Sequence, residues 1–87
     1  MARRYAQAAD GARDQVQAVA ALALRRAGFT QVQAADLIGG HEQTVANWVH
    51  GRRDPAVVDL AQLVAACGLR LRLVLDEVPA AAEEEVA

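Results

Sequence analysis

Apolar residues recur at spacings of three and four along most of this chain, then switch to strict alternation near its end. Over Ala12–Ala27 the positions Val16, Val19, Ala20, Ala23, Leu24 and Ala27 share one helical face. Gly28 is a natural stop. A second helix opens at Thr30, an N-cap that forms a capping box with Gln33 three residues on. It carries Val32, Ala34, Ala35, Leu37 and Ile38 before Gly39-Gly40 ends it. A third helix covers Glu42–Val49, with Val45, Trp48 and Val49 apolar, and Gly51 stops it. Asp54 is placed to cap a fourth helix beginning at Pro55, a favoured first position. Its inner face is Val57, Leu60, Ala61, Leu63, Val64 and Cys67, and Gly68 closes it. Ahead of the first helix a short turn around Arg3–Ala9 is interrupted by Gly11, so residues 1–11 read as a flexible arm.

The alternating stretch is GLRLRLVLDE. Leu69, Leu71, Leu73 and Leu75 are separated by Arg70, Arg72 and Val74, with Asp76 following. A period of two predicts a strand with one buried face. A lone strand leaves its backbone donors and acceptors without partners. No other segment alternates in this way, and the N-terminal RRYAQAA is a poor strand former. The expected partner is the same strand of a second copy, antiparallel about a two-fold axis. The four leucines would then cover the helical bodies, and Arg70 and Arg72 would face water, DNA or a third protein. The closing PAAAEEEVA follows a proline, is rich in Ala and Glu, and reads as disordered or loosely helical.

Composition changes this picture in three places. A chain of 87 residues makes one small domain with a limited core, for which pairing is a common source of stability. The net charge of −2 argues against nucleic acid until it is divided along the chain. Nine Arg against six acids give +3 over residues 1–75, and five acids give −5 over residues 76–87. Every cation is Arg, which suits bidentate phosphate and guanine contacts, although a coding bias that also raises Ala would produce the same count. The single cysteine, Cys67, excludes an internal disulfide framework and fits a reducing compartment. MARRYAQAADGAR lacks the apolar run of a secretory leader, and no stretch nears the roughly 20 apolar residues of a membrane span. A cytoplasmic protein is expected. His41 and His50 have no third ligand nearby, Cys67 has no adjacent base, and neither a metal, a cofactor nor an enzymatic activity is expected.

The second and third helices are joined by about three residues, two of them Gly. That is the geometry of a helix-turn-helix, whose second helix enters the major groove. The segment AGFTQVQAADLIGGHEQTVANWVHGRRDPAVVDLAQLVAACG resembles the Xre/Cro repressor domains. The matching features are Thr30-Gln31, Ala35, Ile38-Gly39, Thr44-Val45, Trp48, Gly51, Arg52-Arg53 and Pro55. Two positions depart from that pattern. His41 stands where relatives place Ser or Thr before the third helix, and Leu24 and Val49 occupy the positions of an Arg–Glu pair. An apolar contact in place of a buried ion pair is often neutral or stabilising.

The resemblance implies base contacts by Glu42, Gln43 and Asn47, and backbone contacts by Gln31, Thr44, Arg52 and Arg53. The chemistry agrees: Gln and Asn suit adenine, Glu accepts from cytosine, and the N-terminus of the second helix near Gln31 suits a phosphate. The order of helices, terminal strand and short acidic tail resembles HipB-type antitoxins. This implies a homodimer that binds a palindromic DNA operator, represses its own operon and neutralises a HipA-like kinase toxin. A stand-alone Xre-type repressor without a toxin is the alternative, and an interaction module that no longer binds DNA is a third. The expected fold is mainly α, a lambda-repressor-like bundle of four to five helices with one C-terminal β-strand paired across the dimer. Its organisation is an arm at 1–11, a helix-turn-helix domain at 12–68, a dimerisation strand at 69–78 and an acidic tail at 79–87.

Overall fold

The computed structural model describes residues 5–77. Four helices follow one another: α1 Ala6–Ala27, α2 Gln31–Ile38, α3 Glu42–Val49 and α4 Val57–Ala66. α1 packs against α3 and α4, and α2 packs against the same two. The core between them is Ala20, Ala23 and Leu24 of α1, Ala34 and Ala35 of α2, Val45 and Trp48 of α3, and Leu60, Leu63 and Val64 of α4. Alanines fill four of these ten positions. They let the helix backbones approach closely, so Trp48 and the three leucines supply most of the bulk. Leu24 is buried in this core, and Val49 packs against it half-buried.

α1 is longer than the 3.6-residue pattern predicts. It starts at Ala6 and runs through Gly11, so the expected flexible arm is helical from position 6. Gly in a helix interior costs about 1 kcal/mol relative to Ala. The flanking Ala6, Ala8, Ala9 and Ala12 are the best helix formers, and Gly11 is exposed where no packing opposes it.

The start of α2 is as expected. Thr30 accepts from the Gln33 backbone N–H at 3.1 Å, and the Gln33 side chain accepts from the Thr30 N–H at 2.8 Å. Thr30→Ala should lower stability by about 1 kcal/mol, read as a drop in melting temperature. At its other end Gly39 adopts φ 71°, a left-handed conformation that only glycine takes without cost. Gly39 and Gly40 donate back to the carbonyls of Asp36 and Ala35. This closure sets the angle at which α3 leaves α2.

The start of α4 differs from the prediction. The helix begins at Val57 with Ala56 as its cap residue, two positions after Pro55, and without a side-chain cap hydrogen bond. Asp54, predicted as the cap, accepts instead from Arg13 Nε at 2.9 Å. A carboxylate engaged across the fold by a guanidinium is not free to turn onto its own helix. Val57 is exposed rather than inward, as is Leu37 of α2.

The strand expected at 69–78 is not formed among the described residues, where no strand is present. After α4 the chain continues through residue 77 without helix or ladder. Leu69 and Leu71 are half-buried against the core, while Leu73 and Leu75 are 77% and 101% exposed. The alternation therefore holds inward for its first two leucines. A ladder needs a second strand, and the described residues bring none to this edge. Residues 79–87, expected as an acidic tail, lie outside the described residues.

Candidate nucleic-acid interface

α2 and α3 make the close-packed, angled pair that presents one helix to a groove. Val45, Ala46 and Trp48 turn into the core, which leaves Glu42, Gln43 and Thr44 exposed and Asn47 half-exposed. His41 makes no side-chain cap bond to α3, in keeping with its poor capping chemistry. Glu42 lies in the first turn, where a negative charge favours the helix dipole whether or not it also meets a base.

The end of α3 is the most structured part of this surface. Gly51 takes φ 72°, and a Cβ there would lie 2.6 Å from Oε1 of Gln17 on α1. The left-handed backbone is what favours glycine, since the end of the flexible Gln17 side chain could turn aside. Beyond it the Arg52 and Arg53 backbone N–H groups donate to the Asn47 carbonyl at 2.8 and 3.3 Å. The two arginines are thus held at the end of the recognition helix, and both are exposed.

Side chains tie the surface together. Gln43 Nε2 and Arg52 Nε both donate to Asn47 Oδ1, each at 3.0 Å. Gln31, at the first position of α2, lies 3.4 Å from Nε2 of His50 at the end of α3. The start of one helix and the finish of the other therefore sit side by side. Of the seven residues proposed to meet DNA, Gln43, Asn47 and Arg52 form one network and Gln31 stands beside His50. Arg53 lines a shallow hollow with Arg13, Gln17, Trp48 and Asp54. Glu42 and Thr44 lie exposed along the first turn of α3.

Sequence reasoning missed Arg13. Its guanidinium donates to Asp54 at 2.9 Å and to Asp10 at 3.3 Å, and the Asp54 hydrogen bond raises its pKa. Asp54 follows directly on Arg52-Arg53, so Arg13 neutralises a carboxylate beside the two proposed phosphate contacts. The partners are 41 positions apart, and no local pattern announces the pair. Both are more than half exposed, so the pair matters for charge placement more than for stability. Cys67 behaves as a packed small hydrophobe: it is half-buried against the core, and burial pushes its thiol up. Among the described residues no cluster of metal-ligating side chains is present, and no helix is long and apolar enough to cross a membrane.

A comparison with protein families finds a helix-turn-helix match over residues 21–74, which takes in the end of α1, all of α2, α3 and α4, and most of the segment that follows. No curated protein and no solved structure matches the chain. The family match covers more than half of the 87 residues and coincides with the angled helix pair and its glycine turn. The chain belongs to the Xre/lambda-repressor-like helix-turn-helix family of DNA-binding transcriptional regulators.

Proposed function

We propose that the protein is a homodimeric cytoplasmic repressor of its own operon, and that it is the antitoxin of a partner toxin, a HipA-like kinase or a protein of similar kind. The observation that carries this reading is the segment after α4. It leaves the body without helix or ladder, with Leu69 and Leu71 half-buried against the core. It then projects Leu73 and Leu75 into solvent beside a groove lined by Val19, Leu22, Ala23 and Arg26 of α1. Exposed leucines at alternating positions are a liability that pairing as strands would remove. Antiparallel pairing with a second copy would fill both hydrogen-bonding rows. Full burial of each leucine contributes about 1.5–3 kcal/mol. The two-fold axis would set two α3 helices about 34 Å apart, the spacing of successive major grooves on a palindromic operator. The order of helix-turn-helix, fourth helix and leucine-alternating terminal segment is the feature shared with HipB-type antitoxins.

Two measurements test this. Leu73→Asp with Leu75→Asp changes side chains that are already exposed in one protomer, so the helical body should fold unchanged. The double variant should sediment as a monomer where the parent is a dimer; an unaltered dimer would remove strand pairing. Affinity capture of the protein from its host should return one DNA locus and one protein encoded beside it. Recovery of the DNA without a protein partner selects the stand-alone repressor. Recovery of a protein without DNA selects the interaction module.

A further inference from the structure

Asn47 is engaged twice through one atom. Its Oδ1 accepts from Gln43 Nε2 and from Arg52 Nε, at 3.0 Å each. A carbonyl oxygen has two lone pairs, and both are used. The orientation of every amide in the network follows from Arg52, whose guanidinium can only donate. Asn47 must turn its oxygen toward it. Gln43, meeting that same oxygen, must turn its nitrogen inward along the helix. The Asn47 backbone carbonyl meanwhile holds the Arg52 and Arg53 N–H groups. One residue thus grips both the side chain and the main chain of Arg52.

We propose that Asn47 is a positioning residue: it fixes the amide orientation of Gln43 for base reading and anchors Arg52 for the adjacent phosphate. The inference rests on the DNA-binding reading above and deepens it. Gln43 keeps its carbonyl oxygen and its second N–H outside the network. That acceptor–donor pair fits the N6 and N7 edge of adenine. Asn47 could make the same bidentate contact only by releasing Gln43 or Arg52, because both lone pairs of its Oδ1 are taken and adenine N6–H needs one of them. Its role is to couple the base contact to the phosphate clamp.

The test uses duplexes selected from a randomised library by the wild-type protein, then single-base-pair variants of the selected duplex. Gln43→Ala should lose preference at one base pair by about tenfold. Asn47→Ala should lose preference at that same base pair, and adding it to Gln43→Ala should cost nothing further there. Asn47→Ala should also reduce the salt slope by about one, as Arg52→Ala does. Asn47→Asp keeps the acceptor for both donors. It should retain the base preference even though its charge lowers affinity on every duplex. A different base pair relaxed by Asn47→Ala, effects that add to those of Gln43→Ala, or an Asn47→Asp that reads like Asn47→Ala would each overturn the proposal. A wild-type protein that selects no duplex would instead remove the DNA-binding reading itself, before any variant is compared.

Discussion

Leu63→Ala is expected to destabilise the protein by about 2–5 kcal/mol, the usual cost of truncating a fully buried leucine. Leu63 is fully buried at the centre of the core, where α4 meets the alanine-lined faces of α1 and α2. Those alanines are the reason for the large effect. Each already approaches its neighbours at backbone distance, so no larger side chain can swing in to fill the void. A chain of 87 residues has a total stability of about 4–13 kcal/mol. The loss is therefore a large fraction of the whole. The single Trp48 is buried in the same core and reports unfolding directly. In urea its fluorescence midpoint should fall with an unchanged slope, at fixed protein concentration so that association does not intervene. A midpoint within error of the parent would mean that the core relaxes around the cavity, against the close packing described here.

Replacing Arg52 and Arg53 together by alanine is expected to weaken binding on every duplex, selected or not. Charge-assisted hydrogen bonds contribute about 1.5–3 kcal/mol, so loss of two phosphate contacts lowers affinity by about a hundredfold or more at low salt. The more specific sign is the salt dependence. Each phosphate neutralised contributes about −0.9 to the slope of log affinity against log salt. The double variant should therefore flatten that slope by about 1.8. Both arginines are exposed, so the melting temperature should be almost unchanged. A parental slope in a folded variant would show that neither side chain touches phosphate. Arg13 bears on the same measurement. With Arg13→Ala the Asp54 carboxylate stands unneutralised next to the clamp, and repulsion should lower affinity at low salt more than at high salt.

The fold was legible where local chemistry and burial agree. The Thr30–Gln33 capping box, the glycine stops at Gly28, Gly39, Gly51 and Gly68, and the bounds of α2 and α3 stand where the residues place them. Each depends on neighbours within five positions, which a sequence displays. The inward faces of Val45, Trp48, Leu60, Leu63 and Val64 were readable for the same reason, since helical periodicity selects one side. The misreadings share an opposite cause. Gly11 reads as a break, but the flanking Ala6, Ala8, Ala9 and Ala12 outweigh one glycine on an exposed face. Asp54 beside Pro55 reads as a cap, but a guanidinium from α1 competes for it. The strand at 69–78 reads from its own alternation, but forming it requires a partner that the described residues do not supply.

The candidate interface divides in the same way. That α3 carries polar residues outward, and that two arginines follow its glycine stop, is a matter of order along the chain. Hydrophobic periodicity alone selects those faces. The link of Gln43, Asn47 and Arg52 through one oxygen, the pairing of Arg13 with a carboxylate 41 positions away, and the meeting of Gln31 with His50 belong to the tertiary structure. Helical patterning specifies which side of an element faces the core. The partner a polar side chain finds depends on the angles and offsets at which whole helices dock, and those are settled only when the core closes.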